Sequence, residues 1–261
     1  MTMTGSDRND LLWVLALAPP LAVRLYGDGT EAALQRLLLL AVALGLFYAW
    51  AALFARRCGR PLGPGLPAAA IVFVLMLPGP VAWGGAVLAL SFGAVFGREM
   101  FGGRAILPPS LIALAFAIFS FPEGGFEARG ILSASFDPLF AASCLPGAAV
   151  LALRGPLAWP VAAGALIGVA AAGMLMGEPA WWAHFGLGAF AAGILFLAAS
   201  PEGAATGTAA RLLHGVLVGA LIVVIRLANP DQPDGVVFAC LLGGLFAPLL
   251  ERALAWRPRR G

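Results

Sequence analysis

Long apolar runs make up most of this chain, and each is cut off by proline, glycine or a small group of charges. With about 20 apolar residues per crossing, the pattern predicts ten membrane segments. They are 11–27, 31–55, 67–83, 84–100, 107–122, 134–153, 157–176, 181–200, 209–228 and 235–256. No connection between them is long enough for a soluble domain. The expected organisation is an exposed tail at 1–10, one polytopic domain at 11–256 and a basic tail at 257–261.

Two of the runs are interrupted in the same way. The third ends at Leu77-Pro78-Gly79-Pro80, and the eighth ends at Ser200-Pro201-Glu202-Gly203. After each break comes an apolar helix rich in small residues, then a Pro/Gly loop, then one more apolar helix. The first loop lies within FGAVFGREMFGGRAILPP, residues 92–109; the second is RLANPDQPDG, residues 226–235. Pro80 and Pro201 lie 121 positions apart, and Pro109 and Pro233 lie 124 apart. Backbone without a helical ladder is tolerated at membrane depth only where protein or a watery cavity surrounds it. The pattern reads as two five-helix repeats, about 11–122 and 134–256. Because five is odd, the second must enter the membrane from the opposite side, which places a site at the repeat interface. Prolines that merely kink spanning helices are the plainer alternative.

Composition agrees with this reading. The 261 residues are 61% hydrophobic and only 11% charged, with a mean hydropathy of +0.93; soluble domains carry about a quarter charged residues. The fold class expected is an all-α membrane protein. All 16 basic residues are arginine. With both termini on the cytoplasmic side, twelve of them fall on inner loops and tails. Only Arg24, Arg36, Arg129 and Arg226 fall on the outer side, as the positive-inside rule requires. The expected location is a bacterial cytoplasmic membrane, and the basic excess points to anionic lipid rather than nucleic acid. Cys58, Cys144 and Cys240 lack metal-ligand spacing and read as packing residues. No Walker loop or nucleophile elbow is present.

At this point the residues resemble a known family. FGAVFGREMFGG, preceded by MLPGP and followed by a Pro-rich helix start, is similar to the RnfD/NqrB membrane subunits. The second half agrees through LFLAASPEG and through LLHGVLVGALIVVIRLANPDQPDGVVFACLLGGLFAPLLERAL. The resemblance covers about 70–256. It implies a urea-channel-like fold of two inverted five-helix repeats. It also implies a subunit of a complex that passes electrons through flavins and iron–sulfur centres while moving Na⁺ or H⁺. Its partners would be membrane and peripheral subunits carrying those centres. The family attaches FMN to a threonine at the start of the sixth segment. Here the stretch reads Ser133-Ala134-Ser135-Phe136-Asp137-Pro138-Leu139, so Asp137 stands at the acceptor position. Noncovalent FMN or riboflavin is therefore the form of cofactor expected. Pro108 and Ser200 likewise replace the family's asparagine and aspartate.

The candidate cofactor-binding residues are Arg98, Gly102, Gly103, Ser133, Ser135, Asp137 and Arg226. Arg98 and Arg226 read either as flavin or ion-pathway contacts or as arginines snorkelling to lipid phosphate. Asp137 reads either as a proton relay, as an ionisable group in an apolar segment suggests, or as a helix cap ahead of Pro138. Phe96, Phe101, Asp137 and Ser200 are the ion-pathway candidates, with Phe92, Phe96, Phe101 and Phe196 read as a constriction or as plain packing. His184 and His214 are placed at opposite ends of the membrane, which opposes bis-histidine haem ligation. No complete catalytic constellation is visible. A small-solute channel on the same scaffold, or a membrane anchor without activity, are the competing functions.

Overall fold

The computed structural model describes residues 5–77, 81–121, 137–155, 157–186, 190–228 and 235–255. Pro78, Gly79, Pro80, the acidic loop 123–127, Ser133, Ser135, most of the second Pro/Gly loop and the tail 257–261 lie outside them. Among the described residues ten helices follow one another: α1 (Gly5–Gly27), α2 (Gly29–Cys58), α3 (Leu66–Met76), α4 (Trp83–Gly97), α5 (Pro109–Ser120), α6 (Pro138–Arg154), α7 (Trp159–Leu175), α8 (Phe190–Ala192, continuing as a π-helix over Gly193–Ala198), α9 (Thr208–Ala228) and α10 (Val236–Ala255). No strand occurs among the described residues.

Four of these helices contain stretches long and apolar enough to cross a bilayer: Asp7–Gly27, Gly29–Cys58, Thr208–Ala228 and Val236–Ala255. At 1.5 Å per residue α9 is about 31 Å long, whereas α3 is about 16 Å, half the hydrocarbon thickness. Nine of the 11 residues of α3 are buried, on every side of the helix, the pattern of a core element rather than a lipid-facing one.

The sequence reading departs from the structure at three places. Helix α1 begins at Gly5, inside the stretch expected to be an exposed tail; Asp7, Arg8 and Asn9 are exposed, but Asp10 is drawn inward by a bond from the Gly65 amide. The third segment ends at Met76, where Leu77 turns to an extended conformation. The eighth is not one smooth span: Trp181–Phe185 is a 3₁₀ turn, and Phe190–Ala192 is a short α-helical piece that runs into a π-helix over Gly193–Ala198.

Glycines set the tightest contacts. A Cβ on Gly164 would lie 2.1 Å from the Leu212 carbonyl oxygen, and one on Gly168 would lie 2.2 Å from that of Val216. From the other side, a Cβ on Gly215 would lie 2.0 Å from the Val161 carbonyl oxygen, and one on Gly219 would lie 2.2 Å from that of Ala165. Helices α7 and α9 are thus joined backbone to backbone along a seam of small residues. Such seams are how helices associate where lipid removes the hydrophobic driving force. Gly147 does the same for α6 against α1, since a Cβ there would lie 2.0 Å from the Ala16 carbonyl oxygen.

Three of the five pairs of like rank pack across the two halves: α1 on α6, α3 on the π-helical part of α8, and α5 on α10. Helices α3 and α8 run antiparallel. Glu202, just past α8, holds its carboxylate over Gly65 at the start of α3, while Gly193 of α8 faces Met76 at the end of α3. Thr206 donates to Glu251 near the end of α10 at 2.5 Å, so both ends of the described chain sit at the end of the bundle that holds Asp10 and Gly65. It is called the N-terminal end below.

Candidate functional site

Buried charge collects at both ends of the bundle, where the interrupted helices stop. At the N-terminal end, α4 gives out at Gly97 and Arg98 leaves helical geometry at φ −148°, ψ −55°. That break lets two adjacent residues pair: Arg98 Nε lies 3.7 Å from Glu99 Oε1. Arg60 closes on the other oxygen of Glu99. Arg98 and Glu99 are 3% and 4% exposed, so Arg98 does not snorkel to lipid. Its Nε also donates to the Gly103 carbonyl at 3.3 Å. Gly102 and Gly103 adopt φ of 70° and 79°, which favours glycine. A Cβ on Gly103 would fall 1.4 Å from Arg60 Nη1, and one on Gly63 would fall 2.1 Å from Arg98 Nη2. The glycines leave the space that the two guanidiniums fill.

Asp10 and Glu202 complete this end. The Gly65 amide donates to Asp10 Oδ1 at 2.8 Å, and a Cβ on Gly65 would meet Glu202 Oε1 at 2.9 Å. A cavity opens here between the starts of α3 and α5 and the end of α8. Its lining includes Trp13, Gly65, Ser110, Phe196, Ser200 and Glu202, and about 40 Å³ is open to water. Burial pushes the Glu202 carboxyl up to about 7, against the pull of Arg98.

At the far end Arg36 closes α3. Its Nη1 donates to the carbonyls of Val74 at 2.7 Å and Leu77 at 3.0 Å, and its Nε to Asp28 Oδ2 at 2.5 Å. The last carbonyls of a helix have no intrahelical partner, and a buried cation there also meets the negative end of the helix dipole. Arg226, 5% exposed, donates to the carbonyl oxygen of His184 at 3.0 Å and to its Nδ1 at 3.2 Å. A guanidinium only donates, so Nδ1 accepts and Nε2 carries the proton toward Glu178 Oε2, 2.7 Å away. His214 lies at the other end of α9 and accepts from the Ala205 amide at 3.4 Å.

Asp137 caps α6, its carboxylate accepting from the Phe140 amide at 2.9 Å. Arg24 lies over the Phe140 ring at 4.6 Å, and its Nε is buried without a hydrogen-bond partner among the described residues. Beside this helix start an apolar groove of about 450 Å³ runs between α6, α7 and α8, with Pro138, Trp182, Phe185 and Phe190 in its wall.

The sequence candidates therefore separate into two groups. Arg98, Gly102, Gly103 and Ser200 lie at the N-terminal end, and Asp137 and Arg226 lie at the far end. Phe96 and Phe101 face outward, 45% and 49% exposed, with Phe96 stacked on Phe92 at 4.4 Å. Phe196 is buried edge-on to Trp13 at 6.3 Å, so the aromatics do not gather into one ring. Sequence reasoning misses Arg36, Arg60, Asp10 and Glu202. Apart from Asp28 beside Arg36, their partners lie 38 or more positions away, and no local spacing announces them.

Comparison with known proteins adds a decisive observation. The family described as NQR2, RnfD, RnfE matches residues 4–127 and 128–259. The chain belongs to this family. One relative of the NQR2/RnfD/RnfE chain is a subunit of the Na(+)-translocating NADH-quinone reductase of Chromohalobacter salexigens. It is 29% identical over 82% of this chain and 63% of that protein. The like-named protein of Azotobacter vinelandii is 29% identical over 77% of this chain and 62% of its own length. That of Haemophilus influenzae is 28% identical over 92% and 72%. The chain thus spans about three fifths of the length of the first two. Family membership and the apolar helices make it a multi-pass membrane protein.

Proposed function

We propose that this NQR2/RnfD/RnfE chain is a membrane subunit of an electron-transfer complex that couples redox chemistry to Na⁺ or H⁺ movement. The observation that carries the reading is the family match over both halves of the chain, with relatives named as subunits of a Na(+)-translocating quinone reductase. The inverted repeat is part of the proposal. It is supported by the rank-for-rank pairing of α1–α6, α3–α8 and α5–α10, by the antiparallel run of α3 and α8, and by the division of the match after residue 127. Partner subunits carry the iron–sulfur and flavin centres. The N-terminal end of the bundle faces the cytoplasm of a bacterial inner membrane, as the arginine distribution indicates.

A flavin joined at position 137 does not fit these residues. Asp137 has no hydroxyl to esterify, and its carboxylate is engaged by the Phe140 amide. A noncovalent FMN or riboflavin is the form to look for. The groove that begins at Pro138 has the volume and aromatic lining of a small-molecule site. Asp137 as a proton relay, and Arg98, Gly102, Gly103 and Arg226 as cofactor contacts, belong to the same proposal.

The test is redox-driven ion flux. Membranes containing the assembled complex are supplied with reductant and quinone, and Na⁺ uptake and lumen pH are followed with and without this subunit. Coupled flux that disappears with the subunit is expected. Passive solute flux through the purified chain, with no flavin spectrum and no redox coupling, overturns the reading in favour of a channel.

A further inference from the structure

The cavity at the N-terminal end combines three features that ordinary packing does not need. First, two carboxylates approach one residue: Asp10 Oδ1 accepts from the Gly65 amide, and Glu202 Oε1 lies over the Gly65 α-carbon. Two like charges brought together in a partly dry site hold a proton or another cation between them more readily than they stay bare. Second, charge is crowded beside the cavity: Arg98 lies among Glu99, Asp10 and Glu202, and Glu99 is shared with Arg60. Third, two hydroxyl-bearing residues, Ser110 at 2% exposure and Ser200 at 5%, line this same small space. A hydroxyl in a dry site needs a partner for its oxygen, and the cavity is where Ser110 can find one. The open volume takes roughly three waters, or one cation with part of its hydration shell.

We propose that Glu202 and Asp10, with the hydroxyls of Ser110 and Ser200, form a binding site for one monovalent hard cation, Na⁺ or a proton, at the mouth between α3, α5 and α8. Carboxylate and hydroxyl oxygens are the donors such ions select. The site lies where α3 starts and α8 ends, beside the two elements buried at the centre of the bundle, so an ion held there sits at the entrance to the repeat interface. The charged groups that face Glu202 are Asp10 from α1 and Arg98 beyond α4; Arg98 is in turn paired with Glu99, on which Arg60 closes. The coupling role of this site rests on the function proposed above; the binding itself does not.

The experiment uses the purified full chain in nanodiscs with no electron donor present. Melting is followed in NaCl against choline chloride at matched ionic strength, and carboxyl protonation by infrared difference spectroscopy between pH 5 and 9. If the ion is Na⁺, the melting temperature rises saturably with Na⁺ in the wild type, the rise is lost in Glu202→Gln, and the half-saturating concentration increases severalfold in Ser110→Ala. If the ion is a proton, Na⁺ has no effect, and one carboxyl titrates near pH 7 in the wild type and in Ser110→Ala but not in Glu202→Gln. Should Glu202→Gln fail to fold, Ser110→Ala and Asp10→Asn carry the same readouts. The proposal is overturned if no Na⁺ response and no near-neutral carboxyl are found, in which case the two carboxylates only cap the start of α3. Loss of binding sinks this site alone. Intact binding without redox-driven flux in the assembled complex sinks the function reading alone.

Discussion

Arg36→Ala removes the guanidinium that closes α3. The substitution leaves the Val74 and Leu77 carbonyls without this donor and the Asp28 carboxylate without this partner. Two buried acceptors at about 1–3 kcal/mol each, or equally one broken buried ion pair at about 3–5 kcal/mol, bound the same loss, so the expected destabilisation is about 3–5 kcal/mol rather than their sum. For a chain of this size that corresponds to a fall in melting temperature on the order of 6–20 °C. The chain supplies its own reporters: Cys144 and Cys240 are buried, whereas Cys58 is exposed. In a Cys58→Ser background, a thiol-reactive dye reports only loss of the core. Labelling should start at lower temperature in Arg36→Ala, with Arg36→Lys in between, because an ammonium makes fewer directed bonds than the planar fork. If Arg36→Ala labels within a degree of the parent, Arg36 does not hold α3, and the buried-cap argument fails.

The other predictions concern the seam, the turn, the cap and the break. Gly168→Ala should push α7 off α9 and lower the melting temperature, while Gly45→Ala, where a Cβ meets nothing within 4 Å, should be neutral or stabilising by about 0.5–1 kcal/mol. Gly103→Ala should displace Arg60 from Glu99, seen as faster proteolysis at the 97–108 loop than in Gly102→Ala. Asp137→Ala should cost about 1 kcal/mol as a lost cap, whereas Asp137→Asn should keep the cap and, if Asp137 relays protons, abolish coupled transport; unchanged transport in that variant removes the relay. Glu202 has its carboxyl raised from the usual 4.5 to about 7 in the folded chain. Its contribution is therefore fully present below pH 4.5 and is lost as pH rises through 7. The melting temperature should fall over that window in the wild type and stay flatter in Glu202→Gln.

Much of the architecture was legible because proline, glycine and charge interrupt apolar runs at the places where helices must end. Most predicted segments match a helix to within a few residues. The exceptions have physical causes. Trp181–Phe185 carries an apolar sequence fit for a span, yet the chain winds it as a 3₁₀ turn, held where Arg226 binds the His184 carbonyl. Hydropathy cannot register that contact. Arg98 and Arg226 occupy positions typical of snorkelling residues, but both are buried against partners from other elements. Asp137 could be read as relay or cap from its place before Pro138, and only the bond to the Phe140 amide shows the cap. The carboxylate over Gly65 was the least visible feature, since Glu202 looked like part of a turn.

The short α3 also bears on how the chain is made. It emerges from the ribosome long before α8, and α5 precedes α10 by a similar interval. Each is too short to settle alone across the bilayer. The main neighbours of α3 are α1, α2 and α5, and Asp10 of α1 and Arg36 of α2 cover its two ends, all within the first half. The first half therefore holds what seats α3 before α8 is made, and the second half closes a bundle already begun.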